Sequence, residues 1–98
     1  MTMDDAITPQ IVAEFMARMH LDDEEDGNLE RILKASYSDL RRICGDYELA
    51  DEVFKELVFE RSRYAYNDAL EYFYTNFLTQ INNLNISKAL EGDPDESE

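Results

Sequence analysis

The chain has 98 residues, 44% of them hydrophobic, which suits one domain with a packed core and excludes wholesale disorder. Twenty-three acidic against nine basic residues leave a formal net charge of −14, which excludes tight binding to nucleic-acid phosphates and adhesion to anionic membranes. Three glycines and two prolines argue against a turn-rich sandwich or barrel, and the lone Cys44 excludes a disulfide framework and fits a reducing cytoplasm.

In chain order, Met1–Ile7 carries Asp4 and Asp5 in place of basic residues and is expected as a flexible N-terminus, not a signal peptide. Thr8-Pro9 is an N-cap followed by proline at the first helical position. Ile11, Val12, Phe15, Met16 and Met19 then recur at spacings of three and four, and His20-Leu21 close the first helix. The acidic run Asp22–Asp26, with Gly27-Asn28, reads as connector and first turn of a second helix, where carboxylates suit the dipole. That helix carries Leu29, Ile32, Leu33, Ser36, Leu40 and Ile43 on one side, flanked by Ala35 and Tyr37. It places Lys34, Arg41 and Arg42 toward its C-terminal half and stops at Gly45, a left-handed C-cap position. Asp46-Tyr47-Glu48 forms the connection.

A third helix shows Ala50, Val53, Phe54, Leu57 and Val58, and its stripe continues through Arg61 to Tyr64 and Ala65. Beyond Asp68 the apolar residues resume in another phase, as Leu70, Phe73, Tyr74, Phe77, Leu78, Ile81 and Leu84. A shift of about two residues turns the face by roughly half a circle, so a break is expected near Asn67-Asp68, with either side chain capping a new helix. A single helix from Glu48 to Leu84 is the competing reading. Ile86 and Leu90 keep some amphipathic character after this point, and Glu91–Glu98 has no apolar residue. The expected fold is all-α: a small bundle of three main helices plus a shorter C-terminal helix, spanning residues 8–90, with a disordered acidic tail at 91–98. No apolar stretch reaches the ~18–20 residues of a membrane span, so no membrane partner is expected.

Nothing along the chain assembles a catalytic or cofactor site. His20 is the only histidine, so one subunit holds neither a zinc centre nor a Ser–His–Asp triad. Cys44 lacks a histidine neighbour, and no glycine-rich phosphate loop exists. Asp22, Glu24 and Asp26 before Gly27 mimic the start of a calcium loop, but the position of its bidentate glutamate holds Leu33. An enzyme is not expected, nor a cofactor or metal.

The informative segment is Glu56–Phe77. It interleaves Arg61 and Arg63 with Tyr64, Tyr66, Tyr72, Phe73, Tyr74 and Phe77, the residue types enriched at the centres of protein–protein interfaces. These side chains, with Ile86 and Leu90 further on, are the candidate contacts to sister subunits or a docking partner. Filling the monomer's own core is an equally good use of the aromatics. Arg61, on the apolar stripe, needs a carboxylate partner if it is buried.

The order of these features resembles the small head–tail connector (adaptor, DNA-packaging-associated neck) proteins of long-tailed bacteriophages. The likeness rests on Leu21-Asp22-Asp23 after a short helix, on Cys44-Gly45 closing the second, and on the Glu56–Tyr64 and Tyr66–Phe73 segments. It spans Ile7 to Ile86, and the Glu56–Phe77 block resembles versions from phages of Gram-positive hosts. What the resemblance implies is a virion-neck subunit, made in the host cytoplasm, that forms a homo-oligomeric ring of about twelve copies. Such a ring docks beneath the portal protein after DNA packaging, extends the DNA channel without specific DNA binding, and receives the stopper. The free subunit can be a monomer. The family's C-terminal region meets the portal, which points here to Asn82–Leu90 and the residues after it; no catalytic residues carry over. The acidic end Glu91–Glu98 has no counterpart in that pattern. The alternative is an acidic DNA mimic occupying the site of a nucleic-acid-binding host protein, motivated by the −14 charge.

Overall fold

The computed structural model describes residues 6–23 and 27–91; most of the expected flexible N-terminus, residues 24–26 of the acidic run, and the tail from residue 92 lie outside the described residues. Every regular element among the described residues is an α-helix: α1 Pro9–Met19, α2 Asn28–Cys44, α3 Glu52–Tyr66, α4 Leu70–Asn76 and α5 Leu78–Glu91. The molecule is a flattened slab, 52 × 31 × 17 Å. No helix among the described residues is long and apolar enough to cross a membrane.

Local chemistry sets most helix ends. Thr8 accepts from the Ile11 N–H (3.2 Å) and Asp51 from the Phe54 N–H (3.0 Å), each satisfying one orphan donor of a first turn. At the end of α1, His20 is left-handed (φ 60°), and the amides of His20 and Leu21 return to the carbonyls of Ala17 and Met16. Gly45 ends α2 at φ 118°, ψ −178°, not the left-handed helical geometry expected but a region open essentially to glycine alone. The connection to α3 runs to Asp51, longer than Asp46–Glu48, because Tyr47 turns inward: its ring stacks on Phe54 and its hydroxyl donates to the Leu84 carbonyl at 2.7 Å.

The break after α3 falls where the hydrophobic phase changes. Asp68 is left-handed (φ 58°), and the amides of Asp68 and Ala69 return to Ala65 and Tyr64, closing α3 with the paired 5→2 and 6→1 bonds of a Schellman turn. Neither Asn67 nor Asp68 caps the next helix, contrary to expectation. Ala69 holds the N-cap of α4 without a side-chain bond, and the Asn67 amide donates back to the Arg63 carbonyl at 2.9 Å. A second break at Phe77 splits the expected single C-terminal helix into α4 and the 14-residue α5. The Phe77 backbone leaves helical geometry (ψ 18°) as its ring stacks on Phe73 (5.0 Å, 22°) and meets Tyr64 edge-on.

Helix α2 is the centre of the bundle, touching α1, α3 and α5. Leu29, Leu33, Tyr37, Leu40 and Cys44 are buried along it and meet Phe15 of α1, Phe54 and Val58 of α3, Phe73 of α4 and Ile81 of α5 in one core. Leu33, where a calcium loop would need its glutamate, has no exposed surface. Ile7, expected in the flexible N-terminus, is buried in the same core.

Candidate assembly surface

Arg61, Tyr74 and Asp39 tie α3, α4 and α2 together. The Arg61 side chain is only 12% exposed and Asp39 18%, with Arg61 Nε 3.4 Å from the carboxylate. Arg61 Nε also donates to the Tyr74 hydroxyl (2.9 Å) and its Nη1 to Ser36 Oγ (3.1 Å), while Tyr74 donates to Asp39. Ser36 and Ser62, both fully buried, share a hydrogen bond of 2.9 Å, and Ser62 donates to the Val58 carbonyl. Asp39 is the carboxylate that Arg61 requires. Burial pushes the Asp39 carboxyl up, but hydrogen bonds from Tyr74 and Arg42 and the Arg61 charge outweigh it and hold it below its ordinary value. The Tyr74 hydroxyl is pushed up by burial and by its bond to Asp39.

The sequence-predicted contact residues therefore separate. Phe73 is fully buried, packed against Tyr64, Tyr74 and Phe77, and has no surface to offer a partner. Tyr64, Tyr66, Tyr74 and Phe77 are half-buried against the core, and the Tyr64 hydroxyl accepts from Asn76 at 3.0 Å. Arg61 belongs to the network just described. Arg63 is exposed and pairs with Glu60 (3.2 Å). The exposed apolar members are Tyr72 at 58%, Ile86 at 58% and Leu90 at 69%. Two others join them that the sequence placed on apolar stripes, Val53 and Leu78, each 54% exposed.

Leu78, Asn82, Ile86 and Leu90 stand four apart on α5, so they form a strip that drifts by about 40° per step. Ile81 and Leu84, buried against α2, lie on the other side of the helix. The strip carries no charge. Lys88, the one charged residue between Leu78 and Leu90, is half-buried instead, 4.4 Å over the Tyr47 ring and paired with Glu91. In a chain that is one-third charged, such a face has the composition of an interface centre, where charge is depleted.

A second apolar feature lies between α3 and the α4–α5 junction. Val53, Leu57 and Phe77 line a groove of about 190 Å³ together with Glu56, Glu60 and Gln80. Glu52, Glu56 and Glu60 stand four apart and so share one ridge of α3. Arg18 clamps Glu56 through two hydrogen bonds and approaches Glu60 at 3.7 Å, holding the Glu56 carboxyl below its ordinary value. Among the described residues no group of three or more His, Cys, Asp or Glu side chains is arranged to hold a metal ion. The free thiol of Cys44 is buried and pushed up to about 11 by burial and by the nearby Asp39 charge.

Comparison with known protein families, with curated proteins and with solved structures returned no match to this chain.

Proposed function

We propose that the chain is a structural head–tail connector subunit of a tailed phage, working by assembly and not by turnover. It forms a ring of about twelve copies under the portal protein and carries the DNA channel on toward the stopper. The observation that supports this reading is the uncharged strip Leu78–Ile86–Leu90 on α5, left uncovered while Ile81 and Leu84 of the same helix are buried. A helix apolar on both sides needs cover on both, and the described residues of one chain supply it for only one. The net charge of −14 agrees with the role, since carboxylates facing a bore keep passing DNA from adhering.

Incubation with assembled portal, followed by electron microscopy, tests the reading. Added ring density beneath the portal is the expected result. A portal that remains bare at saturating subunit overturns it.

A further inference from the structure

We infer that the acidic segment 92–98 folds back over a basic stripe on the outer face of α2, setting Asp93, Asp95, Glu96 and Glu98 against Arg31, Lys34, Arg41 and Arg42 of the same copy. The contact lies within one subunit and does not depend on a ring.

Helical spacing makes the stripe. Arg31, Lys34, Ser38, Arg41 and Arg42 share an arc of about 120° at ~100° per residue, turned away from the buried Leu33, Tyr37, Leu40 and Cys44. The acids of α2, Glu30 and Asp39, stand on either side of that arc, where they pair with Lys34 (3.0 Å) and Arg42. Arg31 reaches Asn28 at 3.5 Å, and Arg41 stays 3.5 Å from Asp46 and 3.7 Å from Glu48. These contacts leave donors over. Arg31 is exposed, Arg42 keeps 72% of its side-chain surface open, and each guanidinium carries five N–H groups. A hollow of about 300 Å³ opens among Ser38, Arg41, Arg42 and Asp46.

Three observations name the occupant. First, α5 ends beside the stripe: Asn85 donates to the Ile43 carbonyl at 2.9 Å and Lys88 lies against Gly45, one turn beyond Arg41 and Arg42. Second, the reach suffices. Seven extended residues span up to ~23 Å, while Arg31 to Arg42 covers about 17 Å of helix. Gly92 and Pro94 are residue types that reverse a chain. Third, the charges match, with four carboxylates and no base in 92–98 against four cations on the stripe. A tethered segment also holds a millimolar local concentration, whereas the net charge of −14 repels a free polyanion. Covered in this way, the stripe is withheld from nucleic-acid phosphates.

Paramagnetic relaxation in the full chain tests the contact, with Cys44→Ala removing the native thiol and a nitroxide placed through Ser97→Cys. Circular dichroism confirms an unchanged fold. At about 20 mM salt the amides of α2 from Lys34 to Arg42 are expected to broaden several-fold more than those of α1, and to recover at about 0.5 M, where screening reaches only a few ångströms. Neutralising the segment (Asp93→Asn, Asp95→Asn, Glu96→Gln, Glu98→Gln) should abolish the effect. Broadening that survives neutralisation reports tethering alone and overturns the contact, as does none beyond the last turn of α5. Broadening seen only when label and ¹⁵N sit on different copies, or α2 shifts caused by a short DNA duplex that leave the nitroxide effect unchanged, assign the stripe to another occupant and overturn it equally.

Discussion

Tyr74→Phe removes one oxygen and no carbon from the joint of α2, α3 and α4. That oxygen accepts from Arg61 Nε at 2.9 Å and donates to the Asp39 carboxylate, so one substitution deletes two hydrogen bonds to charged groups. Such a bond is worth about 1.5–3 kcal/mol when enclosed. Here Arg61 and Asp39 keep 12% and 18% of their side-chain surface, and each keeps another partner, Ser36 and Arg42 respectively. Water and these partners recover part of the loss, leaving a net destabilisation of about 1.5–2 kcal/mol. For a chain of this size that lowers Tm by about 6–15 °C. Urea unfolding followed by far-UV circular dichroism at neutral pH measures it. A double-mutant cycle with Asp39→Asn should return a coupling of about 1 kcal/mol. A loss below about 0.5 kcal/mol, or additive single effects, would refute the claim that this hydroxyl holds the joint.

Asp39 also sets a pH dependence. Its folded pKa lies below its ordinary 3.8, so its contribution is present above that value and is lost as pH falls through the lower folded value. Asp39→Asn should flatten the acid limb of a stability–pH profile below 3.8, and an unchanged limb counts against the assignment. At Gly45, φ is 118° and an added Cβ would overlap Lys88 Cγ. Gly45→Ala should cost about 1–3 kcal/mol and raise amide exchange in the last turns of α5. The Cys44 thiol, pushed up to about 11 and buried, should resist Ellman's reagent at neutral pH in the native protein and react promptly in denaturant.

Much of the architecture was legible because its signals are short-range. Thr8-Pro9 opens α1, His20-Leu21 closes it and Gly45 closes α2, each through contacts within four or five residues. The turn at Asn67–Ala69 was visible because the apolar stripes on either side are out of phase. The bend at Phe77 left no such mark. No glycine, proline or phase change announces it, and the stacking of Phe77 on Phe73 against Tyr64 requires two helices already folded back on each other.

The candidate surface divides along the same line. Periodicity marked Val53, Phe73 and Leu78 alike as apolar stripe positions, and it identified Arg61 as a cation in need of a carboxylate. Whether a stripe residue meets a neighbour depends on which helices arrive beside it. Phe73 is enclosed by α3 and α4, whereas Val53 and Leu78 face solvent because no element among the described residues covers them. Asp39, more than twenty positions before Arg61, becomes its partner only when α2 packs on α3. The ends of α1, the close of α2 and the turn after α3 were thus determined by the sequence alone, because bonds between residues three to five apart produce them, whereas the break at Phe77 was not. The division of aromatic and aliphatic side chains between core and uncovered surface was decided by tertiary packing, because burial is a property of what lies opposite.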